Sequence, residues 1–388
     1  MPLQQPTILQ VLPSLVTGGV ERGTIEITEA ITRAGGRALV ASEGGRLVAA
    51  IEAAGGHHVR LPLATKNPSA IWSNAARLES LIRSEGVSIV HARSRAPAWS
   101  AWLACRRTRT HFVTTYHGAY SENLPLKRQY NGVMAWGEIV IAASRFIADL
   151  IRRRHGVPQG RIRVIPRGVD PAVFDPGAVA PGRLSRLATD WKLPAGKRVV
   201  MLPGRLTAWK GHAVLLDALA RLQRQDFCVV LVGSDQGRTH YMDQLFQQAK
   251  RLGVVDRVRL GGDCDDMPAA LLLADLVVHA STQAEAFGRV VIEAQAMGRA
   301  VIASDLGGPV ETVEQGVTGW RVPPGDPAAL AAAIDRALDL PAGALQSLAA
   351  AARGSVLRTA TVGAMQDATL AAYKEVLGTG SAVGFPVR

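Results

Sequence analysis

The stretch Ala274–Gly308, ADLVVHASTQAEAFGRVVIEAQAMGRAVIASDLGG, changes its pattern three times within 35 residues. LVVHA is a short apolar run rich in β-branched residues, STQAEAF is a polar loop, GRVVIEAQAMG has helical spacing, and RAVIASDLGG is a second apolar run. A strand, a helix and another strand in that order form a βαβ unit with parallel strands. Strands that are apolar throughout are covered on both faces, so helices must flank the sheet.

The same alternation extends in both directions. RVVMLPGR, DFCVVLVGS, RVRLGG and TGWRVPPG complete one series around the opening stretch. TILQVLPSL, ALVAS, HHVRLPL, VSIVHAR, HFVTTYHG, EIVIAAS and RIRVIPRG form another in the first half. Between them PAVFDPGAVAPG is dense in Pro and Gly, and no strand pattern occurs over 171–197. That gap predicts the interdomain connection. The expected fold class is therefore α/β, with two Rossmann-like doubly wound parallel-sheet domains, 1–175 and 190–360, facing across a cleft. Ligands of such sheets bind beyond the carboxyl ends of the strands. SAVGFPVR at the end of the chain is expected to be frayed.

Composition narrows the class. The chain has 388 residues, enough for two hydrophobic cores, with 48% apolar and 20% charged residues. No apolar run reaches the length of a membrane-spanning helix, and MPLQQPTILQVLPSL lacks a basic signal-peptide start. Cys105, Cys228 and Cys264 lie far apart, which argues against a disulfide framework or a zinc site and for a reducing, cytoplasmic setting. Residues 1–170 hold 22 Lys and Arg against 11 Asp and Glu, whereas residues 171–388 hold 22 against 21. The first half therefore faces something anionic, or simply carries a solvated basic surface.

Chemistry concentrates after the strands. Glu285 lies in the loop, while Phe287, Gly288, Arg289 and Val290 bring free backbone N–H groups to a helix start, a natural anion site. Glu293 follows within the helix, seven residues separating the two glutamates. An isolated pair of this kind would read as a surface charge and a helix-dipole partner. LPGRLTAWKGH changes that reading: after its own strand it sets Arg205 and Lys210 beside Gly204 and Gly211. A guanidinium and an ammonium together can neutralise a departing diphosphate.

Taken together, these stretches resemble the family 4 glycosyltransferases, retaining enzymes of the GT-B fold. The matching segments are Gly18 to Glu21, His117-Gly118, Ile165 to Asp170, Gly204 to Gly211, Glu285 to Glu293, and Ser304 to Gly308, in family order along nearly the whole chain. The resemblance implies that Arg205 and Lys210 grip the donor diphosphate and that Glu293 bonds the ribose hydroxyls. It implies that Glu285 and the amides after it hold the transferred sugar, with His117 touching that sugar from the other domain. Gly18 and Gly19 would bring a helix start near the phosphate and the acceptor. MQDATLAAYKEVL, within about 361–377, would cross back onto the first domain. No side-chain nucleophile is implied, because the departing phosphate helps to deprotonate the acceptor. No metal or other cofactor is expected, and the expected donor is a nucleotide-diphosphate sugar, UDP first. The expected acceptor is a glycan or lipid-linked compound of bacterial lipopolysaccharide or surface-polysaccharide assembly. Arg167 and Arg289 depart from the residues usual at their positions; either would adjust acceptor or donor choice, with Arg167 a candidate acceptor contact, or would simply add surface charge.

Other signals are weaker. Arg93 and Arg95 follow the strand VSIV and are expected at the first domain's cleft edge, where either would bind an anionic acceptor group or serve as an ordinary loop arginine. Asp263-Cys264-Asp265-Asp266 looks metal-like, but a helix cap on MPAALLLA explains it better. SRFIADLIRRRHG, Trp99, Trp102, Arg106, Arg107 and Arg109 suggest peripheral contact with the inner face of an anionic membrane. The competing functions are a sugar-nucleotide epimerase or a phosphorylase on the same plan. A dehydrogenase lacks its GxGxxG, and a nucleic-acid-binding protein lacks any RNP, KH or zinc-finger pattern, so no nucleic-acid partner is expected.

Overall fold

A computed structural model of the chain describes residues 5–16, 18–122, 125–237 and 239–378. The final SAVGFPVR and the first four residues of the N-terminal run lie outside the described residues. The chain divides into two units, residues 1–167 with 362–388, and residues 168–361.

In the first unit, the described residues form a sheet of seven parallel strands. These are β1 (Thr7–Val11), β2 (Arg37–Ser42), β3 (His57–Arg60), β4 (Val87–Ala92), β5 (His111–Tyr116), β6 (Ile139–Ala142) and β7 (Ile162–Val164). Their order is β3-β2-β1-β4-β5-β6-β7. In the second unit six strands follow: β8 (Arg198–Pro203), β9 (Phe227–Val232), β10 (Val258–Gly262), β11 (Leu276–His279), β12 (Ala300–Ser304) and β13 (Trp320–Val322). Their order is β10-β9-β8-β11-β12-β13. Each predicted run holds a strand, β2 starting one residue earlier than its run, and most strands end two to four residues sooner, where the chain turns into loops at the carboxyl edge.

Both sheets reverse direction once, between β1 and β4 and between β8 and β11. At such a switch point the crossover helices diverge and leave room for a ligand. The residues following β1, β4, β8 and β11 are therefore the ones the topology offers to chemistry.

Core packing explains why these runs form strands. β8, β9, β11 and β12 contribute Val200, Leu231, Val278 and Ile302 to one buried apolar cluster. The helix Pro327–Asp339 covers that sheet through Leu330 and Ile334. In the first unit Ile8, Ile89, Val113 and Ile141 meet Ile27 and Ile31 of the helix Gly19–Arg33. The helix Val362–Leu377 also belongs to this unit. Its Tyr373 is fully buried with its hydroxyl 2.6 Å from His91 Nδ1, and Gln366 Nε2 donates to the Glu26 carbonyl at 2.7 Å.

The Pro- and Gly-rich gap is not a connection. The division falls after Arg167, and residues 171–197 lie inside the second unit. Pro181 opens a helix, Pro181–Asp190, whose proline occupies a first-turn position where no N–H is needed. Leu187 and Trp191 are buried, and Arg183 Nε donates to Asp266 Oδ2 at 2.8 Å. Apolar anchoring therefore overrides the linker-like composition.

Candidate active site

In the second unit the loop after β8 carries Gly204, Arg205 and Lys210. Arg205 is exposed, and among the described residues its guanidinium has no hydrogen-bond or ion-pair partner. Lys210 turns inward. Its Nζ lies 2.6 Å from Glu285 Oε1 and 4.6 Å from the centre of the Trp209 ring. The loop after β11 supplies the rest. His279 Nε2 stands 2.7 Å from the same Glu285 oxygen, and Ser281 Oγ also donates to it.

Three donors thus converge on one carboxylate oxygen. Burial raises the pKa of Glu285, but His279 and Lys210 together outweigh it and hold the carboxyl well below the usual range. The carboxylate is ionised, and its second oxygen is left for a ligand. A carboxylate only accepts, so His279 donates to it from Nε2.

The chain around Glu285 is pinned by the Gly307-Gly308 turn after β12. The Gly308 N–H donates to the Glu285 carbonyl at 2.9 Å, and the two segments form an isolated parallel bridge. Gly288 then starts the helix Arg289–Ala296 at φ +84°, where a side chain would also press on the Pro309 ring. The first-turn N–H groups of a helix meet no carbonyl within that helix, so a helix start of this kind suits an anion. Phe287, just before this turn, is buried. Glu293, one turn on, is only 6% exposed and lies 3.5 Å from Arg289 Nε. The residues expected to act together, Lys210, Glu285, Gly288 and Glu293, are gathered in this unit.

The first unit carries the other candidates. Gly18 caps the helix Gly19–Arg33, whose first turn follows β1. Arg167 Nη2 donates to His117 Nδ1. Burial, then the Arg167 and Arg93 guanidiniums, drives the His117 pKa far down, so the ring is neutral and its proton sits on Nε2. Such a ring offers one N–H to an oxygen ligand.

Arg93 departs from the expected open loop arginine. Its N–H continues the ladder by donating to the Val11 carbonyl at 3.0 Å, and this sends the side chain inward. Arg93 is 2% exposed, and its guanidinium donates to Gln10 Oε1 at 2.9 Å. Arg93 is thus held inward against Gln10 and is not an open arginine at the loop surface. Arg95 donates to Asn131 Oδ1 at 2.9 Å and lies over the Tyr120 ring at 4.1 Å.

Sequence reasoning missed His279, Ser281 and Gln10. The available signal was a histidine at the carboxyl end of a switch-point strand, but it reads as an ordinary strand residue without its partner. In the acidic run Asp266 accepts from the Ala269 N–H at 3.2 Å, a helix cap. Among the described residues no group of three or more His, Cys, Asp or Glu side chains is placed to hold a metal. No described helix is long and apolar enough to cross a membrane.

Comparison with known proteins gives two family matches: residues 17–173 match the model described as Glycosyltransferase Family 4, and residues 186–354 the one described as Glycosyl transferases group 1. A D-inositol 3-phosphate glycosyltransferase of Thermobispora bispora is 31% identical over 326 residues, 78% of this chain and 73% of that protein. For three other curated relatives of that name, the matched region spans 48%, 65% and 60% of their own length. Among solved structures, a glycosyltransferase from Rickettsia africae is 35% identical with a TM-score of 0.90, covering 97% of this chain and 100% of that one. Anabaena HepE in complex with UDP-glucose is 26% identical with a TM-score of 0.84, covering 95% and 99%. The shared fold class is GT-B.

Proposed function

The chain belongs to glycosyltransferase family 4, and from that premise we propose that it moves a sugar from a UDP-sugar to a hydroxyl of an anionic acceptor, with retention. The observation that carries this reading is the convergence of Lys210, His279 and Ser281 on Glu285 beside the amide-rich start of the helix Arg289–Ala296. A leaving diphosphate needs cations and N–H donors that are already oriented before its charge develops. Arg205, Lys210 and the first-turn amides meet that need, Glu285 holds the sugar, and Glu293 takes the ribose hydroxyls. UDP as the donor nucleotide is supported by the likeness to HepE, whose structure contains UDP-glucose.

The glycosidic C–O bond breaks as the acceptor oxygen bonds to the anomeric carbon on the same face. The acceptor proton passes to the departing phosphate oxygen, so no side-chain nucleophile is needed. Glu285 and Glu293 are binding groups, and the carboxylate spacing rules of glycosidases do not govern them. His117 donates to a sugar hydroxyl from Nε2.

For the acceptor, the relatives named for D-inositol 3-phosphate support a hydroxyl compound bearing phosphate. Arg167, which holds His117, and Arg95 are the first unit's cations for that group. A lipid-linked surface-polysaccharide precursor with an acidic group meets the same requirement.

The test is a calorimetric panel of UDP, GDP, ADP and dTDP, followed by transfer assays with labelled UDP-sugars in EDTA. Tight binding of UDP alone and metal-independent transfer to phosphate-bearing acceptors are expected. Binding of none of the nucleotides would refute the donor reading. Conversion of donor without acceptor would point instead to an epimerase.

A further inference from the structure

We propose that the first unit carries a docking surface for an anionic lipid bilayer, built on the helices Pro68–Glu85 and Arg95–Thr108 and the turn Val133–Ala135 with the adjoining Trp136. This inference stands apart from the donor site and uses none of its residues.

Large apolar side chains collect on this face. Trp72 is 58% exposed and Trp136 41% exposed. The ring centre of Trp102 is 4.6 Å from that of Trp136, and Trp99 is 5.1 Å from the same ring. Guanidiniums cover the rim: Arg107 stands 4.7 Å over Trp72, and Arg106 stands 5.2 Å over Trp102. An indole beside an arginine matches the boundary of a bilayer, where the ring sits among the glycerol groups and the cation meets phosphates.

Charge argues for an anionic surface. Residues 95–155 hold ten Lys and Arg against three Asp and Glu, seven of the chain's net twelve positive charges. The apolar patch runs into this basic flank. Tyr130 stacks on Trp99, and two residues before it Arg128 Nε donates to the Arg154 carbonyl at the end of the helix Arg145–His155. Nearby acids are already engaged, Glu79 with Arg83 and Arg107 and Asp149 with Arg152, so a positive surplus remains. Leu126, 76% exposed on the helix Pro125–Gly132, adds an aliphatic anchor.

Nucleic acid fits less well. Base stacking needs open aromatic faces, whereas each of these indoles has a guanidinium or another ring against it. The helix Arg145–His155 buries Ile147, Leu150 and Ile151 in its own unit, so it contributes charge rather than an inserted face.

The experiment is flotation of the full chain with vesicles of phosphatidylcholine alone and with added phosphatidylglycerol. Binding should require phosphatidylglycerol, weaken at high salt, and shift the tryptophan emission to shorter wavelength. Trp72→Ala and Arg106→Glu, both at exposed positions, should each reduce partitioning about tenfold, with UDP affinity unchanged. Lys250→Glu in the second unit should leave flotation as in the wild type. No wild-type binding at low salt, or full binding by both first-unit variants, overturns the proposal. So does tight filter binding to RNA that vesicles do not compete away. Loss of UDP affinity in the wild type would instead count against the donor reading alone.

Discussion

His279 Nε2 lies 2.7 Å from Glu285 Oε1, the same oxygen that Lys210 Nζ approaches to 2.6 Å. His279 is 3% exposed and cannot turn to water, so its N–H is committed to this carboxylate. In the proposed reaction it serves as a positioning residue for Glu285. A hydrogen bond to a charged group is worth about 1.5–3 kcal/mol. His279→Ala should therefore slow transfer roughly 10- to 100-fold while UDP, which lacks the sugar, binds as before. His279→Gln should restore part of the rate. An unchanged kcat, or equal loss of UDP affinity, would remove His279 from this role.

Glu293 and Glu285 should separate binding from turnover. Glu293 lies in the first turns of the helix Arg289–Ala296, buried and paired with Arg289. If it holds the ribose hydroxyls, Glu293→Ala weakens UDP binding by about 10- to 100-fold, the cost of charge-assisted hydrogen bonds. Glu285→Ala should leave UDP affinity close to the wild type and lower kcat for the UDP-sugar. Calorimetry with UDP and steady-state kinetics on both variants decide the assignment.

The sheets were readable in the sequence because buried parallel strands are short apolar runs, and each predicted run contains a strand. The division between units was not. Pro and Gly over 171–182 look like a linker, yet Pro181 opens a helix whose Leu187 is buried in the second unit. Side-chain direction was equally hidden. Arg93 follows a strand and reads as loop, but one more ladder bond turns it inward to Gln10. The grouping of His279 with Glu285 depends on a loop shape fixed by Gly308, almost thirty residues along the chain from His279.

Gly211 joins the loop after β8 to its helix at φ +78°, and any Cβ there would overlap the Ala280 carbonyl oxygen. Ala280 follows β11, so the clash lies between the two loops that build the proposed donor site. Gly86 offers a control, with φ +60° and nothing within 4 Å of a Cβ. Gly86→Ala should cost only the left-handed backbone penalty, about 1–2 kcal/mol. Gly211→Ala should cost more, through the added overlap, and should abolish UDP binding. Urea unfolding of the two variants compares the penalties directly, and equal losses would show that the loops give way freely.

His212 makes stability in the second unit depend on pH. The ring is fully buried, and burial, followed by the Lys210 charge, brings its pKa down to about 4. In the unfolded chain an imidazole titrates near about 6.5. Between these values the unfolded chain carries a proton that the folded one lacks, so acid favours unfolding. The contribution is complete above the unfolded pKa and is lost as pH falls toward about 4, at roughly 1.4 kcal/mol per pH unit. His91 and His117 in the first unit shift in the same direction, chiefly through burial. His212→Asn removes one titrating group, and the readout is the slope of stability against pH rather than its absolute value. The unfolding transition of the second unit, followed from neutral pH downward, should be flatter in the variant by about that increment per unit. Parallel curves would mean that His212 takes up its proton in the folded state as readily as in the unfolded chain.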